Sequence, residues 1–152
     1  MSTYEDILKK AWGEVPKVKL LPVGSWELEG KNASWQEPKK ETGNPYFMLV
    51  YVPVRALDDV NAEALAELGE GYEVKNNRIF HRVWIETSAD LDAFRKHLTK
   101  HGLNVTDEQS IEETLAAFKG SRVIVYLDQR EFANNAGELV KENVAKAFAP
   151  VG

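Results

Sequence analysis

Cysteine is missing from all 152 residues, which excludes a disulfide framework and any thiolate metal site. No apolar run approaches the roughly 20 residues that a membrane-spanning helix needs. The opening M-S-T-Y-E-D has neither the basic nor the apolar region of a signal peptide, so the expectation is a soluble, cytoplasmic protein. There is no Gly-rich phosphate loop, no G-x-S-x-G and no carboxylate constellation of the kind nucleases use. Histidine is scarce: His81, His97 and His101. His97 and His101 stand at i, i+4 on a helix, where Glu108 would be a third metal ligand, but the H-E-x-x-H context is absent and the pair reads as a helix end. The expectation is no enzyme, no cofactor, no metal and no small-molecule substrate.

Positive charge is also in short supply. The net charge of −5 argues against a simple DNA-binding role, because phosphate contact wants a positive surface. The deficit is local, however. Residues 56–77 hold six acids and one base, leaving 18 bases and 18 acids elsewhere. A neutral body can still present a basic groove.

What is present begins with a short helical pattern at 3–12, an N-terminal arm over 1–16 closed by Gly13 and Pro16. The remaining 17–150 read as one domain. Residues 18–29 alternate loosely, with Pro22 and Gly24 read as bulges in a bent strand. After Gly30, residues 33–37 read as a returning strand carrying Trp35, and P-K-K-E-T-G-N-P (38–45) is a loop. The run 46–55 is apolar on both faces, as in a central strand. The acidic insertion follows as a solvated helical excursion. Two helices are signalled by Ser88 and by the pair Ser110 and Glu113, closed by Gly102 and Gly120. Residues 121–132 form another strand. N-N-A-G (134–137) is a turn, after which 138–148 fits a strand or a helix equally well by periodicity.

The most informative stretch is R-I-F-H-R-V-W-I-E-T (78–87). Alternate side chains on a strand leave by opposite faces. Ile79, His81, Val83 and Ile85 make a core face; Arg78, Phe80, Arg82 and Trp84 make a face that alternates cation and ring. Arginines that meet phosphates and rings that stack on bases suit single-stranded nucleic acid. The competing reading packs Phe80 and Trp84 under a second layer, with the arginines snorkelling past. Residues 122–130 repeat the interleaving less densely through Arg122, Tyr126 and Arg130. Trp26 and Tyr51 read as core.

Together these elements fit a mainly β fold with short helices (α+β): a five-stranded, partly open barrel of the OB type. It carries an acidic helical insert (56–77) and a helical segment between strands 4 and 5. The chain also resembles a family, the small phage-encoded single-stranded-DNA-binding proteins with an OB-fold core. The matching pieces are L-L-P-V-G-S-W-E-L-E (20–29), W-Q-E-P-K-K-E-T-G-N-P-Y-F-M-L (35–49), N-R-I-F-H-R-V-W-I (77–85), D-L-D-A-F-R-K-H-L-T-K-H-G-L (90–103), F-K-G-S-R-V-I-V-Y-L (118–127) and E-N-V-A-K-A-F (142–148). The acidic insert departs from the pattern, and A-F-A-P-V-G lacks the acidic tip with which bacterial single-strand binders recruit partners.

The resemblance implies a non-catalytic protein of the host cytoplasm. It would coat single-stranded DNA during phage DNA replication or recombination, alone or with replication and recombination proteins or further copies of itself. It also favours a strand at 138–142. The expected nucleic-acid contacts are Trp35, Lys39, Lys40, Tyr46, Phe47, Arg78, Phe80, Arg82, Trp84, Arg122, Tyr126 and Arg130. The rival expectation is a structural adaptor whose aromatic strands form a subunit interface.

Overall fold

The computed structural model describes residues 8–9, 18–38 and 43–151. The expected arm at 1–16, apart from Leu8 and Lys9 (which are helical), lies outside the described residues, as do Lys39 and Lys40. Five strands make one antiparallel sheet: β1 (Gly24–Gln36), β2 (Tyr46–Ala56), β3 (Ile79–Trp84), β4 (Arg122–Ala133) and β5 (Leu139–Ala149). Their order across the sheet is β3-β2-β1-β4-β5. The helices are α1 (Ala62–Ala66), α2 (Ser88–Thr99) and α3 (Ile111–Phe118), with a 3-10 turn at Val74–Asn76. The fold is therefore mainly β. The sheet is not closed: β3 and β5 are its two ends, and they approach each other without pairing. Among the described residues no helix is long and apolar enough to cross a membrane.

The segments expected as two strands, 18–29 and 33–37, are one continuous strand. Gly30 is not a break. A Cβ there would stand 2.4 Å from the Phe118 carbonyl oxygen and 2.9 Å from the Phe118 ring, so the residue is glycine because α3 ends directly against β1. Register shifts at Glu27/Leu28 and at Gly30/Asn32, rather than at Pro22 and Gly24, supply the bend. β1 thereby pairs with β4 along its first half and with β2 along nearly all of its length. This merging moves the helical segment to between β3 and β4, not between a fourth and a fifth strand.

Residues 138–148, open between strand and helix by periodicity, run as β5. The turn before it is closed by an Asn134 amide to Glu138 carbonyl bond of 2.9 Å, with Gly137 at φ +80. Across the hairpin β5 pairs with β4 from Ala133↔Leu139 to Ile124↔Ala149.

The inner face of the sheet is the core: Trp26 and Leu28, Phe47, Leu49 and Tyr51, Ile79, and Val123, Val125 and Leu127. Phe94 and Leu98 of α2 and Phe118 of α3 fill it from the helical side. Each such side chain contributes roughly 1.5–3 kcal/mol on burial. Both helices start where local chemistry directs. Asp90 accepts from the amides of Glu86 and Thr87, so the cap of α2 is Thr87 and not Ser88. Ser110 accepts from the Glu113 amide at 3.1 Å at the start of α3.

The acidic insert is more than a solvated excursion. α1 is largely exposed, but Val60 and Leu68 are buried in the main core. A relay then ties the insert to the segment before β1. The Lys19 amide donates to the Tyr72 hydroxyl, that hydroxyl donates to Asn77 Oδ1, and Asn77 Nδ2 donates to the Lys19 carbonyl. The insert thus anchors Lys19 beside the end of β3.

Candidate nucleic-acid interface

β3 keeps the alternation its sequence foretells. Ile79 is buried, while Phe80 is 58% and Trp84 50% exposed, with Arg82 exposed between them. Pairing with β2 sets what lies beside each: Tyr46 opposite Trp84, Met48 opposite Arg82, Val50 opposite Phe80. The Tyr46 ring sits 4.7 Å from Trp84, tilted by 51°, and the Arg82 guanidinium lies 5.4 Å from its centroid. One tyrosine therefore braces the cation and the indole together and lowers the entropy lost when either takes a ligand.

These side chains form one wall of a groove of about 840 Å³ along the open seam of the sheet. β5 forms the other wall, with Lys141 and Lys146 among its residues. Lys19 and Arg78 stand with them, and Met48 and His81 also line it. Six basic residues line the groove (Lys19, Arg78, Arg82, Arg130, Lys141, Lys146) against one acid, Glu142, on a chain whose net charge is −5. Glu142 is taken by Arg130, whose Nε donates to it at 2.6 Å. Lys19 Nζ and the Arg78 guanidinium donate to backbone carbonyls, which leaves their charge uncompensated. A concave site lined by one sign of charge focuses potential on an anion.

The other expected contacts are elsewhere. Phe47 is only 4% exposed and stacks on Phe94 at 4.4 Å and 14°, so its ring is core and offers no face to a base. Trp35 is 41% exposed but shares the inner face with Phe47, its ring 4.7 Å away and its indole N–H donated to Glu37; it lines a second groove. Arg122 and Tyr126 lie on the outer face of β4, outside the basic groove. Arg122 donates to Glu27 at 2.7 Å and approaches Glu29 at 3.4 Å, while Arg55 meets Glu27 at 3.2 Å. Two cations there face two carboxylates, so that patch is balanced. Of the twelve expected residues, five line the groove (Arg78, Phe80, Arg82, Trp84, Arg130), and Tyr46 braces it.

Lys19, Lys141 and Lys146 were not foreseen. Lys141 and Lys146 lie in the segment whose periodicity fits strand and helix alike. The N-N-A-G turn already signals a hairpin over 138–142, and carrying that strand on to 148 would have placed both lysines beside β4.

The histidines do not form a surface pair at a helix end. His101 is buried, and its Nδ1 lies 2.9 Å from the His97 carbonyl, which can only accept. Nδ1 therefore carries the proton, and Nε2 accepts from the Tyr51 hydroxyl at 2.7 Å. His81 and His97 complete a packed cluster around Phe148, with ring centroids 4.9 and 4.4 Å from it. Burial pushes His97 down to about 3 and His101 to about 4, and lowers His81 from the ordinary value, so all three are neutral near pH 7. Burial likewise raises the Tyr51 hydroxyl, keeping it a donor. Among the described residues no group of three or more histidines and carboxylates is arranged to hold a metal. No family model and no curated protein matches the chain.

Proposed function

We propose that the protein binds single-stranded DNA with little sequence preference, through the β3–β5 groove, and that its fold is of the OB type. The observation that carries this is the lining of the groove: six bases against one acid, with the half-exposed rings of Phe80 and Trp84 between the cations. Cations at that spacing suit phosphates, and rings between them suit the bases of an unpaired strand; a duplex keeps its bases stacked away from such rings. The sheet order, with β1 shared between two neighbours and helices inserted between β3 and β4, supports the OB reading. The phage-family resemblance adds the setting, protection of strands exposed during phage replication or recombination.

The test is a titration of a poly-pyrimidine oligonucleotide followed by tryptophan fluorescence at low and high salt. Quenching, with affinity falling as salt rises, is the expected result. No quenching, or an affinity indifferent to salt, sinks the proposal. The adaptor reading predicts instead a concentration-dependent rise in mass. The groove itself disfavours a symmetric interface, since two copies joined there would set six bases against six.

A further inference from the structure

β1 loses one neighbour halfway along. Its ladder with β4 runs from Gly24↔Leu127 to Glu29↔Arg122, and the last bonds on that side join Gly30 to Ser121 and Gly120. With β2 it continues to Gln36. Over residues 31–36, therefore, the edge of β1 away from β2 has no backbone partner among the described residues. Such an edge is a template for another strand.

Beside this edge runs α3, and between them lies a groove of about 780 Å³. It is lined by apolar side chains, Ala33, Phe47, Ile85, Leu91 and Leu115, with Trp35 and Ile111 at 41% and 49% exposure. Its charged residues are Lys31 and Lys119 against Glu112, and neither lysine has a carboxylate partner among the described residues. The lining is mainly apolar, where the basic groove has six bases.

We propose that this groove takes an extended segment of a partner protein, added to the 31–36 edge of β1 as a sixth strand between β1 and α3. An added strand satisfies the open amides and carbonyls through its own backbone, and its alternate side chains enter the apolar floor. The partner segment carries apolar residues at every second position and carboxylates beside them to meet Lys31 and Lys119. A helical ligand would leave the edge unpaired. A second copy of this chain paired edge to edge would set four lysines against two glutamates. The two grooves share no lining residue, so filling one does not block the other.

The test is selection of ten-residue peptides from a random display library against the full chain, followed by affinity measurement and hydrogen exchange. Enriched peptides should alternate apolar with acidic residues and slow exchange of amides within 31–36. They should also weaken by about tenfold in Ile111→Asp, as expected of a central apolar anchor, and measurably in the exposed Lys31→Glu. An unchanged far-ultraviolet circular dichroism spectrum and cooperative thermal unfolding in both variants show that they fold. Failure to enrich any peptide overturns the proposal, as does enrichment of a helical apolar spacing or of binders indifferent to both variants. Amides 31–36 already protected in the free protein, and released by deleting residues 1–17 or by dilution to monomer, would assign the groove to the chain's own segment or to a second copy and equally overturn it.

Discussion

β3 and β4 carry the same alternation of base and ring on their outer faces, and the sheet gives them opposite fates. On β4 the neighbour is β1, whose Glu27 and Glu29 project on the same face and hold Arg122. On β3 the neighbour is β2, which offers Tyr46, Met48 and Val50 to the same face and no acid. Arg82 is therefore braced against a ring and left charged, while Arg122 is neutralised. A strand's charge pattern stays uncompensated only when the strand beside it declines to cancel it.

The comparison breaks most readily at the rings. Phe80→Ala combined with Trp84→Ala removes two stacking faces, each worth roughly 1–3 kcal/mol. The expected loss of single-strand affinity runs from about 30-fold to about 20,000-fold, with the melting temperature nearly unchanged because both rings are already half in water. Isothermal titration with a poly-pyrimidine oligonucleotide measures it. An intact affinity would mean that β3 is not the contact strand. Next in size is Arg82→Ala, which removes one uncompensated cation. Binding should weaken about tenfold across sequences alike, and the slope of log affinity against log salt should fall by about 0.7. A sequence-selective loss would instead reveal base readout.

How far the sequence carried is visible at the same two strands. The parity of β3, the apolar faces of β2 and the Ser110 cap were legible because each is a local rule acting within a few residues. Gly30 was not legible: its reason for being glycine is the carbonyl of Phe118, 88 positions away in the chain, and misreading it split one strand into two. Arg122 misled for the same reason, since Glu27 reaches it only across the ladder. Phe47 lay on the correct inner face beside Leu49 and Tyr51, yet its nearness to the lysine loop suggested a contact that its stacking on Phe94 rules out. The strand that completes the groove, β5, is left open by periodicity and favoured only over 138–142 by the resemblance, whereas it runs from Leu139 to Ala149.

The inner faces differ as well, and acid should separate them. β4 buries Val123, Val125 and Leu127, which do not titrate, whereas β3 carries His81 inward against His97 and Phe148. His97 and His101, held at about 3 and about 4, bind protons less readily folded than in the unfolded chain at the ordinary 6.5. Between those values the unfolded state carries more protons, so stability is full above about pH 6.5 and drains as pH falls toward 4 and 3. Lys100 adds to the repulsion once the rings charge. Hydrogen exchange between pH 7 and 4, corrected for intrinsic rates, should show β3 and α2 losing protection before β1 and β4. Uniform loss across the sheet would show that the histidine cluster is not the weak point.

The smallest effect is the most discriminating. Arg122→Ala leaves Glu27 with Arg55 as its remaining cation, so the melting temperature should fall by only a few degrees, the consequence of about 1 kcal/mol at a partly exposed pair. Single-strand affinity should stay within about twofold of the parent, because neither Arg122 nor Glu29, the acid left without its cation, lines the basic groove. Glu27→Gln sharpens the point, since it leaves Arg55 without its carboxylate and Arg122 with Glu29 alone. If Glu27→Gln gains affinity and a steeper salt slope while Arg122→Ala changes neither, the acids of β1 are what confine the DNA to β3. If Arg122→Ala weakens binding as much as Arg82→Ala does, the ion pair opens for phosphate, and the β1-facing part of β4 is a contact surface as much as β3 is.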